Sequence, residues 1–389
     1  MSKKILFWTS SYRPVMGGLQ VAVSEIAKHV SSKGYEARIL ANKYPKFLKS
    51  TEKIDNIQVD RFLFISSLNT MIKNRRIDLI IAYIFYKPFT LLKLIAYFFK
   101  HKPHIVNLHF PDIQLFECLV LKYIFNFKLI VSLHGDEVTR MNTMKRTSIK
   151  RALYQALFNN SEYITTCSES LLSEFLSIFH GIKRKKCFVV HNGVSDIFLN
   201  NKVEEKKSSV VFSAARFVHK KGIDLLLDAF YNVDNYKLIV AGGYSQDLDK
   251  ATLLKLGENT ELIGKVTSEK IVEYLTSSMV TIIPSRAEPY GIFVAEALCS
   301  GSPLVTTNVG GIPEVISRAI KGLSAKQIEI FYEWVKVVEP NIGCMKDGFD
   351  AIISNRQDIC DYLSIIEIIR EGFSWDESLV KYDEIINTL

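Results

Sequence analysis

Short apolar stretches alternate with longer amphipathic segments along the first half of the chain. Each stretch is rich in β-branched, aliphatic or aromatic residues, which is typical of a strand buried on both faces of a parallel sheet. The pattern predicts a doubly wound α/β domain over residues 1–195. The predicted strands are Ile5–Trp8, Ala37–Leu40, Ile105–Leu108, Leu129–Leu133, Tyr163–Thr166 and Phe188–His191.

A second alternating series follows a polar junction. The junction is VEEKKSSV, residues 203–210, and the series runs from Val210 to about residue 372. We expect a second Rossmann-like domain over residues 196–372, followed by a short amphipathic helix at 373–389. The expected fold class is therefore α/β, with two Rossmann-like doubly wound domains.

One run in the second series is typical of a strand, loop, helix, strand, loop and helix. It comprises residues 284–314, PSRAEPYGIFVAEALCSGSPLVTTNVGGIPE, and the strand before it. Ligands of such parallel units bind at the carboxyl edge of the sheet, where loops and helix N-termini meet. The predicted elements are a strand at Val280–Ile283, a helix at Ile292–Cys299, a strand at Leu304–Thr306 and a helix that opens at Gly310 and Gly311.

Two glutamates of this run are candidates for ligand binding. Glu288 lies in the loop at the sheet edge, and Glu296 lies on the helix that follows. Backbone N–H groups around Gly291 to Phe293, at the positive end of that helix, are suited to phosphate oxygens or sugar hydroxyls. A carboxylate at Glu296 is suited to paired ribose hydroxyls. The alternative is that Glu288 is a solvated loop residue and Glu296 a surface helix residue.

Two basic residues and two glycines follow other predicted strands. Arg216 and Lys221 bracket the turn after Val210–Ser213, where their charges would offset those of a diphosphate; the alternative is a lysine-rich surface turn. Gly17 and Gly18 lie at the first strand-to-helix turn, where they would permit positive φ and close approach to a phosphate or sugar. The spaced glycines and later acid of a dinucleotide-binding site are absent.

Five segments, in order, resemble those of the large retaining, nucleotide-sugar-dependent glycosyltransferase family 4, the glycosyl transferases group 1, which has the GT-B fold. They are PVMGGLQVAVSEIAKHVSSKGYEARIL, HNGVSDIF, FSAARFVHKKGIDLLLDAF, the glutamate run and FSWDE. The resemblance covers nearly the whole chain. It implies two domains facing across a crevice, with an acceptor-binding N-terminal domain, a nucleotide-sugar-binding C-terminal domain and a last helix that crosses back onto the first domain.

The resemblance also implies a reaction. A sugar would pass, with retention and without a metal or cofactor, from a UDP- or GDP-sugar to a glycan or polyprenyl-diphosphate-linked acceptor in bacterial surface polysaccharide biosynthesis. It assigns catalytic roles to Glu288 and His134 at the donor sugar, and to Lys221 and Arg216 at the departing diphosphate. Donor contacts are expected from Gly17, Gly18, Arg216, Lys221, Gly264, Tyr290, Gly291, Ile292, Phe293 and Glu296.

Two histidines end neighbouring strands of the first domain. His134 comes directly after Leu129–Leu133, and His109 ends the preceding strand. We expect His134 to point into the crevice, with a hydrogen-bonded structural role as the alternative for either residue. Asp247 and Asp249 form an Asp-x-Asp pattern, but their polar loop favours solvated side chains over metal ligands.

The two halves of the chain differ in charge. Residues 1–190 hold 29 Lys+Arg against 13 Asp+Glu, a net +16, and residues 191–389 hold 20 against 28, a net −8. A basic first half indicates an anionic partner. A membrane surface is favoured over nucleic acid because the basic residues accompany apolar segments.

One such segment, residues 87–102, carries Lys93 and Lys100 one heptad apart on an otherwise apolar helix. A buried core helix, an interfacial helix and a transmembrane helix are all considered for it. The transmembrane interpretation is weakened by Lys87 and Pro88, which interrupt the apolar stretch.

The cysteines and the N-terminus favour the cytoplasm. Cysteines at positions 118, 167, 187, 299, 344 and 360 show neither metal-ligand spacing nor the frame of a small secreted protein. The N-terminal MSKKILFW has too short an apolar stretch for a signal-peptide core. We expect a cytoplasmic protein associated peripherally with the inner face of the cell membrane.

Alternatives to the transferase are a catalytically silent GT-B subunit of a polysaccharide assembly complex and, less favoured, an epimerase or phosphorylase of the same fold. The stretch 317–345 is longer by about a helix than the family pattern. Within it, residues 325–340, AKQIEIFYEWVKVVEP, are predicted to form an amphipathic helix.

Overall fold

The computed structural model describes residues 2–15, 17–64, 75–145, 147–203, 209–231, 233, 235–354 and 359–389. The chain divides into two compact units. Unit 1 comprises Met1–His191 and Leu379–Leu389, and unit 2 comprises Asn192–Ser378. The sequence placed these boundaries after residues 195 and 372. Most of the predicted polar junction, residues 204–208, lies outside the described residues.

Unit 1 is built on a sheet of eight described strands in the order β3-β4-β2-β1-β5-β6-β7-β8. All neighbouring strands are parallel except β3 and β4. The chain order reverses between β1 and β5, as in doubly wound folds. The strands are β1 (Lys4–Thr9), β2 (Glu36–Asn42), β3 (Thr51–Ile54), β4 (Ile57–Phe62), β5 (Ile105–His109), β6 (Lys128–Leu133), β7 (Tyr163–Thr166) and β8 (Cys187–Val189).

The central strands explain the apolar stretches of the sequence. Nearly every residue of β1 and every residue of β5 is buried, as expected for strands covered on both faces. The helices of unit 1 are α1 (Gly18–Ser32), α2 (Ile77–His101), α3 (Leu115–Ile124), α4 (Asp136–Asn142), α5 (Ile149–Asn160) and α6 (Glu169–Ile178).

The hairpin of β3 and β4 was not predicted from the sequence. Its turn is formed by Asp55 and Asn56, with φ of 49° and 62°. Aspartate and asparagine tolerate this left-handed conformation better than most residues, so the Asp-Asn pair is the sequence feature that could have predicted the turn. Strand β3 is exposed or half-buried along its length, and it therefore lacks the apolar run that marked the other strands.

Helix α2 contains Pro88 and has one buried and one exposed side. Among the described residues, no helix has both the length and the hydropathy needed to cross a membrane. The transmembrane interpretation of this segment is therefore wrong.

Unit 2 is built on a parallel sheet of six described strands in the order β11-β10-β9-β12-β13-β14. The chain order reverses between β9 and β12. The strands are β9 (Val210–Ala214), β10 (Lys237–Ala241), β11 (Thr260–Gly264), β12 (Val280–Ile283), β13 (Leu304–Thr307) and β14 (Val335–Val338). Both chain reversals create the switch points at which ligands of such sheets bind.

The helices of unit 2 follow the predicted alternation. The predicted bounds of β12 and of the helix after it, Ile292–Cys299, agree with the structure. The helices are α7 (Asp196–Leu199), α8 (Ile223–Ala229), α9 (Lys250–Leu253), α10 (Ser268–Ser277), α11 (Ile292–Cys299), α12 (Ile312–Ala319), α13 (Ala325–Trp334), α14 (Ile342–Ser354), α15 (Ile359–Gly372) and α16 (Trp375–Asn387).

The prediction of one helix over residues 325–340 was wrong. Helix α13 ends at Trp334, and Val335–Val338 form β14, which pairs with β13. The alternating Val-Lys-Val-Val pattern extends the sheet at its edge, and β-branched residues favour a strand. The additional segment thus supplies a helix and an edge strand.

The last helix, α16, belongs to both units, because the boundary between them lies after Ser378. Its C-terminal part packs within unit 1. The Tyr382 hydroxyl accepts a hydrogen bond from Asn107 Nδ2 at 2.7 Å, and Asp383 pairs with His29 Nε2 at 2.9 Å.

Candidate functional site

Two loops meet at the switch point of unit 2, one after β9 and one after β12. The first loop ends in a 3₁₀ turn, His219–Lys221, and the second contains Glu288. Lys221 Nζ donates a hydrogen bond to Glu288 Oε2, and the two side chains are 19% and 14% exposed. The Ser285 hydroxyl lies 3.4 Å from the same carboxylate oxygen. The structure thus brings together two of the predicted site residues, separated by 67 positions in the chain.

An arginine clamp fixes these loops to each other. Arg286 donates two hydrogen bonds to Asp224, at 2.7 and 2.6 Å, and a third to the His219 carbonyl at 2.9 Å. The Arg286 and Ala287 backbone N–H groups both donate to the Lys220 carbonyl. The guanidinium group lowers the pKa of Asp224, whose carboxylate is therefore the stable form.

The clamp residues were missed at the sequence level. Arg286 is the third residue after β12, within the glutamate run, and this position is the sequence feature that could have indicated it. Its partner, Asp224, is 62 positions away on α8, so only the strand order reveals the pair.

The paired glycines of the run support the backbone of Glu288. Gly310 has φ of 55°, and a Cβ atom there would lie 2.0 Å from the Glu288 carbonyl oxygen. The Gly311 N–H donates to that same oxygen at 2.9 Å. A larger residue at Gly310 would displace the loop that carries the glutamate.

Helix α11 begins beside Glu288 without a side-chain cap. Gly291, at its N-cap, has φ of 106°, a conformation that favours glycine. The N–H groups of the first turn have no partner within a helix, so those of Ile292 and Phe293 are available to an anion or hydroxyl. The Phe293 ring contacts Phe212 edge-on, with 6.4 Å between ring centroids.

Glu296 lies one turn further along α11. The side chain is partly buried, and burial raises the pKa of its carboxyl group to about 8. The carboxyl group of Glu296 makes no hydrogen bond or ion pair to the residues that the structure describes. Glu296 is thus neither the solvated surface residue of the alternative interpretation nor a member of a structural ion pair.

Three further predicted donor residues have distinct environments. Arg216 is exposed in the loop after β9. Tyr290 is buried, and its hydroxyl accepts a hydrogen bond from Arg318 at 2.8 Å, so its side chain holds the base of the loop. Gly264 has φ of 68°, and a Cβ atom there would lie 2.2 Å from the Tyr244 ring.

In unit 1, His134 and His109 form a pair at the ends of β6 and β5. Their rings stack with 5.3 Å between centroids, and Nδ1 of His109 lies 3.0 Å from Nε2 of His134. Burial lowers the pKa of His134 to about 4 and that of His109 well below its usual value, so both rings are neutral at pH 7. The backbone N–H of His134 donates to the buried Glu137 carboxyl group, whose pKa is raised to about 7 by burial.

The first glycine loop differs from its predicted conformation. Gly17 has φ of 174°, which is extended backbone, and Gly18 is the first residue of α1. Neither glycine adopts the left-handed conformation that favours glycine, so the expectation of positive φ was wrong. Both residues are exposed, and a Cβ atom at Gly17 would lie 3.0 Å from the Gln20 side chain.

The Asp-x-Asp residues cap local structure. Asp247 accepts a hydrogen bond from the Tyr244 N–H, and Asp249 accepts one from the Thr252 N–H at the start of α9. Both are exposed. In the part of the chain that the structure describes, no cluster of histidine, cysteine or acidic residues is arranged to hold a metal ion.

Two sequence profiles of known families match this chain. The profile described as "Glycosyltransferase Family 4" matches residues 16–196, and that described as "Glycosyl transferases group 1" matches residues 195–330. An uncharacterised glycosyltransferase of Methanocaldococcus jannaschii is 25% identical, over 96% of this chain and 95% of its own length.

Solved structures share the fold. Sucrose-phosphate synthase from Thermosynechococcus elongatus aligns with a TM-score of 0.74 at 15% identity, over 99% of this chain and 98% of its own. Anabaena HepE, in a complex with UDP and glucose, aligns with a TM-score of 0.73 at 16% identity, over the full length of both chains. The two Rossmann-like units therefore have the GT-B architecture.

Proposed function

The chain belongs to glycosyltransferase family 4, and from this we propose that it transfers a sugar, with retention, from a UDP- or GDP-sugar to a hydroxyl group of a glycan or lipid-linked acceptor. The observation that carries this proposal is the Lys221–Glu288 pair at the switch point of unit 2. The pair is a cation and a carboxylate that lie beside the N-terminus of α11, which has no side-chain cap. Anabaena HepE, which shares the fold, binds UDP and glucose.

Each site residue has a task in this proposal. Lys221 and Arg216 stabilise the negative charge that develops on the departing diphosphate, which is the largest electrostatic task of the reaction. Lys221 donates one hydrogen bond to Glu288, and its other two N–H groups are assigned to the diphosphate oxygens. Glu288 then orients the hydroxyls of the donor sugar.

The remaining donor contacts follow from the same arrangement. The backbone N–H groups of Ile292 and Phe293 receive diphosphate oxygens at the N-terminus of α11. Glu296 accepts from the ribose hydroxyls. His134, held neutral by burial, supplies a hydrogen bond to the donor sugar, and His109 fixes the orientation of its ring.

The proposal includes a cellular setting. We place the enzyme in the cytoplasm, on the inner face of a bacterial membrane, in the biosynthesis of a surface polysaccharide. Its support is the net +16 of residues 1–190 and the exposed apolar side of α2, on which Phe85 and Leu92 are 77% and 64% exposed. No metal is assigned a step.

Release of nucleoside diphosphate from UDP- and GDP-sugars, measured with EDTA present, tests the proposal. We expect one donor to be consumed by the wild type and consumption to fall at least roughly thirtyfold in Glu288→Gln, on the scale of one lost transition-state contact. Glu329→Gln, an exposed glutamate on α13, is the matched control. No release with any donor, alone or with lipid extract as acceptor, would favour the catalytically silent GT-B subunit.

A further inference from the structure

A groove of about 480 Å³ lies in unit 1, between α2 and the outer strands β3 and β4. One wall is a stripe along α2 at helical spacing, formed by Tyr86, Thr90, Lys93, Tyr97 and Lys100. The opposite wall comes from the end of β4 and from the loop that follows β2. None of the candidate donor-site residues lines it, whereas Lys93 and Lys100, noted in the sequence analysis, both do.

The rim of the groove is cationic. Lys43, Lys46, Lys93 and Lys100 line it, and none of the four has an ion-pair partner among the described residues. Among the described residues, the ammonium group of Lys43 donates a hydrogen bond to the Ser50 hydroxyl alone, at 2.9 Å. Four lysines without carboxylate partners around one cavity create a strongly positive local potential.

The carboxylate within the groove is already engaged. Asp60 accepts hydrogen bonds from the Tyr97 hydroxyl at 2.8 Å, from Thr51 at 3.0 Å and from Arg38 at 3.4 Å. It therefore does not neutralise the lysines of the rim. An anion that enters the groove meets lysine charges that are still available.

Two of the residues that line the groove, Arg61 and Thr90, are 4% and 3% exposed. Arg61 Nε and Thr90 Oγ1 have no hydrogen-bond partner among the described residues, although the terminal nitrogens of Arg61 donate to Glu52 and to the Arg13 carbonyl. Buried N–H and O–H groups without an acceptor are destabilising, so an acceptor oxygen from a ligand would be stabilised beside them. A guanidinium N–H and a hydroxyl are both suited to a phosphate oxygen.

An apolar surface lies on the same helix. Ile81, Phe85, Phe89 and Leu92 of α2 are between 49% and 77% exposed. Lys93 connects the two regions, because it lines the groove while its ammonium group lies 4.2 Å from the centroid of the Phe89 ring. A ligand with an anionic head and an apolar chain matches this pair of surfaces.

We propose that this groove binds the phosphate or diphosphate head of a membrane lipid, whose hydrocarbon chain lies along the exposed apolar side of α2. The identification of this lipid as the acceptor rests on the proposed function; its binding does not. The lysines of the rim pair with the phosphate charges, while Arg61 Nε and Thr90 Oγ1 contact phosphate oxygens within the groove. Water-soluble phosphates share the head chemistry but have no group for the apolar side.

Calorimetric titration of the full chain with farnesyl diphosphate, a soluble prenyl diphosphate, tests this assignment. We expect binding to weaken at least roughly tenfold in the Lys93→Gln/Lys100→Gln variant, since charge-assisted hydrogen bonds are lost. The control is Lys183→Gln/Lys185→Gln, which removes two exposed lysines elsewhere in unit 1 and should bind as the wild type does. Equal affinity of the two variants would overturn the proposal.

Two further measurements sharpen the test. Thr90→Val removes the unpartnered hydroxyl at nearly constant volume, so we expect weaker lipid binding with an unchanged or higher melting temperature. Inorganic pyrophosphate should bind more weakly than farnesyl diphosphate, and equal affinity would assign the groove to a water-soluble phosphate instead. If the protein binds UDP but not farnesyl diphosphate, the result contradicts this inference alone. If it binds farnesyl diphosphate but not UDP, the result contradicts the proposed donor site.

Discussion

Glu296 is protonated at neutral pH in the unliganded protein, because burial raises its pKa to about 8. Ribose hydroxyls that donate to this group would favour its carboxylate form and lower the pKa on binding. Binding would then release a proton at any pH between the pKa of the complex and pH 8. With the proposed role of Glu296, donor binding is therefore expected to be coupled to the titration of this one residue.

We predict that the affinity for UDP rises with pH up to about pH 8 and levels off above it, because proton release favours binding as the proton concentration falls. Calorimetry at several pH values measures this dependence. In the Glu296→Gln variant, the part of the pH dependence of UDP affinity that comes from titration of the nucleotide should remain, and the rest should be lost. An identical pH profile in both proteins would remove Glu296 from the ribose site.

Lys221 has the largest predicted effect on turnover. Lys221→Ala should lower kcat/KM by at least about 2 kcal/mol, roughly thirtyfold, since it removes a charge that stabilises the departing diphosphate. The matched control is Lys326→Ala, an exposed lysine on α13. Turnover at the wild-type rate in Lys221→Ala would exclude the lysine from the reaction.

At the level of single residues, the sequence predicted site residues best where a charged side chain lies in the loop that follows a strand. Lys221 and Glu288 were predicted from their positions after strands, and the structure pairs them. The pairing of Arg286 with Asp224 was not predictable, because it depends on β9 and β12 being neighbours. The stacking of His109 on His134 likewise requires the order of β5 and β6.

Among the elements, the two loops after β9 and β12 act as one unit because Arg286 joins them. The bidentate contact to Asp224 and the contacts to the 3₁₀ turn leave little freedom for Lys221 relative to Glu288. Preorganised charges need no rearrangement when the diphosphate leaves.

We predict that Arg286→Lys weakens donor binding while destabilising the fold by only about 1 kcal/mol, because the pair is partly exposed and lysine cannot replace a bidentate guanidinium. The KM for the donor and the melting temperature measure the two effects. The contribution of Asp224 should be present above its ordinary pKa of 3.8 and lost as the pH falls through its lowered folded-state value. A change in melting temperature with unchanged KM would restrict Arg286 to a structural role.

Elements with continuous apolar runs were predictable, and those at sheet edges were not. Strand β12 and helix α11 have the predicted bounds, because burial on both faces fixes their composition. Hairpin β3–β4 and strand β14 lie at sheet edges, where half-exposed strands carry weaker patterns. In residues 325–340 the spacing of apolar residues changes from a helical period to a strand period at Val335. The change was not recognised, because the whole stretch was interpreted as one amphipathic pattern.

For the whole molecule, the contrast in charge matches the two tasks that we propose. The basic first half, with a net +16, is proposed to meet an anionic membrane surface, and the acidic second half contains the residues proposed to bind the diphosphate of the donor. Those diphosphate contacts, Lys221 and the N-terminus of α11, lie within unit 2, so they do not depend on the lysines of α2.

We predict that Lys93→Glu/Lys100→Glu releases the protein from vesicles containing anionic lipid while donor hydrolysis stays intact. Vesicle sedimentation at low and high salt measures the effect, and wild-type binding should fall with salt because exposed charges are screened. Unchanged vesicle binding in this variant would contradict the membrane assignment of α2.

The central claim is that unit 2 binds the diphosphate of a nucleotide donor through Lys221, which Glu288 holds in place. The most direct test is the thermal shift of the full chain with UDP, GDP and ADP in the presence of EDTA, for the wild type and Lys221→Ala. The account predicts that either UDP or GDP raises the melting temperature of the wild type and that Lys221→Ala loses most of this shift. No shift with any nucleotide, or an equal shift in the variant, would contradict it.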